Sequence, residues 1–143
     1  MKRNVKIITL VLALTLALLP TLSSCTEEVD DRPLMPLAMV GYIADLGKTV
    51  EFSQLDDYKY DEMNAENGKL CYFELDDARY TLFVGIVDGD ISYIMLSHNP
   101  SGEKLYIFHK NPGSLGEDAM EYEGEASSYD VSAFIKKMSE DEK

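Results

Sequence analysis

Residues 80–109 constrain the fold more than any other part of the chain. They read YTLFVGIV, then Asp88-Gly89, then ISYIMLS over 91–97, then a loop at Asn99-Pro100-Ser101-Gly102, then LYIFH over 105–109. Each apolar run is rich in β-branched and aromatic residues and is bounded by turn residues, which is the strand signal. Asp88-Gly89 suits a two-residue hairpin, whose central residues both need positive φ. The three runs therefore predict consecutive antiparallel strands. All three are apolar on both faces, so each face of their sheet needs a cover. A barrel or sandwich layer plus a helix would supply it.

The remaining strands are read outward from this block. Residues 70–75 (LCYFEL) form a strand that Asp76-Asp77-Ala78-Arg79 turns into the next one. Residues 37–44 (LAMVGYIA) and 49–55 (TVEFSQL) read as the first two strands. In the second of these, Val50 and Phe52 alternate with Glu51 and Ser53. Residues 56–69 form an acidic loop with an Asn67-Gly68 turn near its end. Residues 119–126 (AMEYEGEA) read as a seventh strand at an edge, with Glu121, Glu123 and Glu125 on its outer face. Charges there discourage edge-to-edge pairing.

One helix is expected near residues 131–139. Val131, Phe134, Ile135 and Met138 fall on a single apolar stripe, with Asp130 as N-cap. The predicted fold is mainly β, an antiparallel meander forming a small barrel or sandwich of about six to seven strands with one C-terminal helix.

The N-terminal segment carries a different signal. Lys2, Arg3 and Lys6 precede an apolar run over residues 7–19, and Leu22-Ser23-Ser24-Cys25 follows. A basic start, a short apolar core and small residues before a cleavage point make a secretory signal peptide. The run is shorter than the ~20 residues that cross a bilayer. Leu22, Ser23, Ser24 and Cys25 resemble the lipobox of bacterial lipoproteins. The resemblance implies cleavage before Cys25 and lipidation of Cys25, hence a membrane partner through lipid. Two or more acyl chains hold a protein stably on a membrane. Thr26-Glu27-Glu28-Val29-Asp30-Asp31 resembles the export signal of surface lipoproteins in the Bacteroidota. Together they imply an outer-membrane lipid anchor, on the cell surface or the periplasmic face. The expected layout is a signal peptide over residues 1–24, an acidic tether with Pro33 and Pro36 over 25–36, and one β-rich domain over 37–143.

Loss of Lys2, Arg3 and Lys6 with the signal peptide takes the formal charge from −13 to −16. That charge argues against nucleic acid, whose phosphates need basic patches. It favours a basic protein or peptide as partner. All nine Tyr and five Phe lie beyond the signal peptide, which argues for a packed core rather than a disordered acidic chain.

Catalytic candidates are weak. Cys71 lies in an apolar strand run, where a buried, inert thiol is the ordinary reading. His98 and His109 are separated by about 13 Å of strand at ~3.3 Å per residue, so they do not share an ion. The acidic clusters lack calcium-loop spacing, and no phosphate loop, nucleophile elbow or zinc motif occurs. No metal and no cofactor are expected, and the chain reads as non-enzymatic. Two surface candidates remain. Glu121, Glu123 and Glu125 would offer carboxylates to a basic partner. Tyr58 and Tyr60, two apart, would offer rings to a glycan or small ligand. The leading expectation is a non-catalytic binding module for a basic protein or peptide. A glycan or small-ligand module, or a structural accessory of an outer-membrane complex, are the alternatives.

Overall fold

The computed structural model describes residues 29–143, apart from the side chains of residues 117–121. The lipobox residues Leu22, Ser23, Ser24 and Cys25 lie outside the described residues. The sheet and its helices form one compact unit, Asp31–Lys143.

Five strands make one antiparallel sheet in simple sequence order: β1 (Asp61–Ala65), β2 (Gly68–Glu74), β3 (Tyr80–Val87), β4 (Asp90–His98) and β5 (Lys104–His109). The sheet is open, so the expected barrel or sandwich of six to seven strands is corrected to a single five-stranded layer. The central hairpin forms as its turn residues require: Asp88 has φ 51° and Gly89 φ 85°, the geometry of a primed turn.

Three expected strands are not strands. Residues 37–44 belong to helix α1 (Leu37–Leu46). Pro36, in extended conformation, is its N-cap, and Gly47, at φ 54°, ends it, a glycine stop of the kind common at helix C-termini. The Leu37 N–H donates to the Asp76 carboxylate at 2.8 Å. Residues 49–55 coil into short 3-10 turns, Gly47–Thr49 and Phe52–Gln54. There the Glu51 N–H donates to the Gln54 side chain at 2.8 Å in a capping box. Residues 119–126 make no edge strand. A kinked 3-10 stretch, Pro112–Glu121, runs into irregular backbone with Gly124 at φ 101°. Such a φ does not fit an extended strand. Helix α2 spans Ser128–Asp141, and its N-cap is Ser127 rather than Asp130. Asp130 is the third helical residue of a reciprocal capping box with Ser127.

One face of the sheet is the core. Cross-strand rows such as Cys71, Val84, Ile94, Phe108 and Phe73, Leu82, Leu96 run across it. Val40 and Ile43 of α1 and Val131 and Met138 of α2 are buried in the same cluster. The helices touch closely at Gly41, where an added Cβ would lie 3.5 Å from Ser128 Cβ. The opposite face carries half-buried Leu70, Tyr72, Phe83, Tyr93 and Met95, with Tyr122 against Tyr106 and His109 at its β5 side. Strand register places Leu96 opposite Leu105 and Tyr93 opposite His109. The connecting loop closes at His98, whose N–H donates to the Glu103 carbonyl.

The end of the expected tether is part of the fold. Met35 is fully buried and bridges to Leu75. The Pro33 carbonyl accepts from Lys59, and the Arg32 guanidinium lies 4.4 Å from the Tyr60 ring centroid.

Candidate functional site

The candidate site is the outer edge of β1 and the loop that leads into it. β1 reads DEMNA, and all five of its residues are exposed. Nothing apolar and alternating drives this strand. It forms because the chain reverses at Glu66-Asn67 and pairs back on β2, with Ala65 opposite Gly68 and Asp61 opposite Tyr72. Gly68 is required at that corner: a Cβ there would come within 1.8 Å of the Ile86 carbonyl oxygen. The far side of the turn is tied to β3, since the Asp88 N–H donates to the Asn67 carbonyl at 3.1 Å.

In an antiparallel ladder, successive residues alternate between bonding the neighbouring strand and pointing away from it. A two-residue hairpin makes Ala65 and Gly68 a hydrogen-bonded pair. Met63 and Asp61 then also bond β2. The main-chain N–H and C=O of Glu62 and Asn64 point outward, past the last strand of the sheet.

Charge around this edge is mostly negative. Asp56 and Asp57 precede it, Asp61 and Glu62 lie on it and Glu66 sits at the turn, all exposed. The lysines here are Lys59 in the loop before β1 and Lys69 on β2, whose Nζ lies 2.8 Å from Glu62 Oε2. That contact raises the Lys69 pKa above its ordinary value. Met63 is 57% exposed and stands on the same face as Leu70 and Tyr72.

The other residues singled out from the sequence are scattered. Tyr60 turns into an aromatic cluster, 5.4 Å from Phe52 and 5.1 Å from Phe73 between ring centroids. Tyr58 is half-buried against the core. Neither ring stands out as an exposed platform. Glu123 and Glu125 are exposed and line a groove of about 170 Å³ with Lys104, Tyr106 and Asp130. Glu125 is engaged by Lys48 at 3.3 Å. They do not form one face of a strand with Glu121, because that segment is not extended. Cys71 is fully buried, and burial pushes its thiol pKa up. His98 and His109 are both buried, in separate environments: His98 contacts Ser101 and Glu142, whereas His109 stacks on Tyr93.

Sequence reasoning located the acidic loop but not the strand inside it. The nearest signal was Asn67-Gly68, although the turn forms one residue earlier, at Glu66-Asn67, and Gly68 already belongs to β2. Among the described residues, no group of three or more metal-ligating side chains converges. No described helix is long and apolar enough to cross a membrane. No family model, curated protein or solved structure matches the chain.

Proposed function

We propose that the chain is a lipid-anchored lipoprotein of the outer membrane whose domain binds a basic protein or peptide without catalysing a reaction. The lipobox-like Leu22-Ser23-Ser24-Cys25 supports the anchor. The acidic, fully exposed edge at Asp61–Ala65 supports the binding role and is the observation that carries it. Five carboxylates gather there against Lys59 and the paired Lys69, in a chain of net charge −13. Such a surface attracts basic partners and speeds their encounter, with a strong dependence on salt. The edge residues replace the expected Glu121-Glu123-Glu125 row as the main contact surface.

The test is a pull-down with the full chain in detergent, against envelope extract and a panel of basic proteins, washed at low and then high salt. A basic protein retained at low salt and released at high salt is the expected result. An integral outer-membrane protein that survives both washes would favour a structural accessory role instead. Retention of no protein at either salt would overturn the reading. The anchor is tested separately: Cys25→Ser abolishes incorporation of labelled fatty acid.

A further inference from the structure

We propose that the outer edge of β1 takes up an extended basic peptide as a sixth strand of the sheet. This rests on the binding role proposed above and specifies how the partner is held.

Two independent features meet at this edge. The first is backbone: Glu62 and Asn64 present two N–H donors and two C=O acceptors outward from a strand whose five residues are all exposed. A row of such groups is a template for strand addition, in which main-chain bonds supply affinity and alternate side chains supply specificity. The second is charge. The side chains flanking any added strand are Asp61 and Met63 on one face and Glu62 and Asn64 on the other. The carboxylates fall on both faces, so basic residues on either side of the incoming strand meet an acidic neighbour. Met63 offers an apolar contact beside Leu70 and Tyr72.

The charge also selects among occupants. A second copy of this chain, paired antiparallel over the whole strand, would set Asp61 opposite Ala65 and Glu62 opposite Asn64, adding its own carboxylates to an acidic edge with no basic residue on the added strand to meet them. An acidic or neutral peptide would gain the backbone bonds without the attraction. A basic extended peptide satisfies both features. β1 spans about 17 Å at ~3.3 Å per residue, enough for a segment of about five residues.

The binding mode is separable from attraction alone, because it uses the backbone. Asn64→Pro removes one outward N–H and leaves the β1–β2 ladder intact, a position where a sheet edge tolerates proline. The probe is a synthetic peptide alternating Lys and Thr, titrated against the full chain in detergent by fluorescence anisotropy. A second probe of the same sequence carries N-methyl groups on every amide, so that neither of its edges can donate. Hydrogen exchange at the Glu62 and Asn64 amides is followed with and without the unmodified peptide. Strand addition predicts a loss of about tenfold or more for Asn64→Pro and for the N-methylated probe, with exchange at both amides slowed by the peptide. Glu62→Gln with Asp61→Asn weakens binding and flattens its salt dependence. If Asn64→Pro folds and binds as the parent does, and both amides exchange as fast with peptide as without, strand addition is wrong. Salt-sensitive binding that survives in that case leaves the basic-partner reading standing. Failure of every basic peptide to bind overturns both. If Asn64→Pro does not fold, amide exchange in the parent chain decides.

Discussion

His98 Nε2 lies 2.9 Å from a carboxylate oxygen of Glu142, which ties the end of β4 to the residue that follows α2. The imidazole is buried, sits 5.1 Å from the Tyr80 ring between centroids, and has Ser101 Oγ 2.8 Å from its other nitrogen. Glu142 also accepts from Arg79 at 2.6 Å, and Arg79 is held by Asp77 at 2.7 Å. The last helix is thus latched to the sheet by a chain of polar groups beside the core.

The latch predicts coupling. His98→Ala empties a buried polar site and should cost about 2–3 kcal/mol. Glu142→Gln removes the charge that Arg79 and His98 share, and should lower the melting temperature. The double variant should lose less than the two single losses together, because both act on one contact. A double-mutant cycle by thermal unfolding measures this. Strict additivity would show that the 2.9 Å contact carries no coupling.

Tyr93 lies over Gly85 on the second face of the sheet. A Cβ at Gly85 would come within 2.2 Å of a Tyr93 ring carbon, and the far side of that ring stacks on His109 at 5.3 Å between centroids. The ring therefore cannot move aside without breaking a second contact. Gly85→Ala should destabilise the domain by about 1–3 kcal/mol through overpacking. Tyr93→Ala in the same chain should recover part of that loss. Denaturant midpoints for the two single variants and the pair provide the check, and a Gly85→Ala chain as stable as its parent would refute the steric account.

The parts of the fold that were legible in the sequence are those fixed by neighbours along the chain. Asp88-Gly89 dictates its own hairpin, and the runs beside it are short, rich in β-branched and aromatic residues and bounded by turns. Cys71 is buried, as its apolar run predicts. What was not legible depends on distant partners. Helix α1 is apolar enough to be mistaken for a strand, and its first N–H is capped by Asp76, thirty-nine positions away. Two local signs were present: Pro36 before it and Gly47 after it. The Val50–Phe52 alternation was coincidental, since the Glu51–Gln54 spacing closes a capping box instead. β1 has no apolar pattern, so its pairing is visible only through the turn that follows. The edge that now forms the candidate site was hidden for that reason.

The Asp76 cap gives a direct measure of that long-range effect. Asp76→Ala leaves the Leu37 N–H without its side-chain acceptor at the start of α1. Loss of a side-chain cap costs about 1 kcal/mol. Asp76→Asn, which keeps an acceptor oxygen, should retain most of the stability. Unfolding in urea separates the two, and equal losses for Ala and Asn would mean that charge rather than capping matters there.

His109 makes stability depend on pH. Burial holds its pKa below the ordinary value of 6.5. Its Nδ1 accepts from the Asn111 N–H at 3.0 Å, which requires that nitrogen to be unprotonated. Tyr93, Tyr106 and Tyr122 surround the ring. In the unfolded chain the imidazole takes a proton as the pH falls through about 6.5, while the folded chain resists until its lower pKa. The unfolded state therefore binds more protons in that window, and stability rises with pH there. The penalty is absent above about 6.5 and grows as the pH falls below it. Glu142 acts in a separate, lower range. Its pKa is held below 4.5, first by the hydrogen bond from Arg79 and then by His98, so its contribution is present above that pH and is lost as the pH falls through the folded value. Melting temperatures for the parent and His109→Phe between pH 8 and 5 test the upper window. The parent should lose stability across it more steeply than the variant, and parallel curves would remove His109 as the cause.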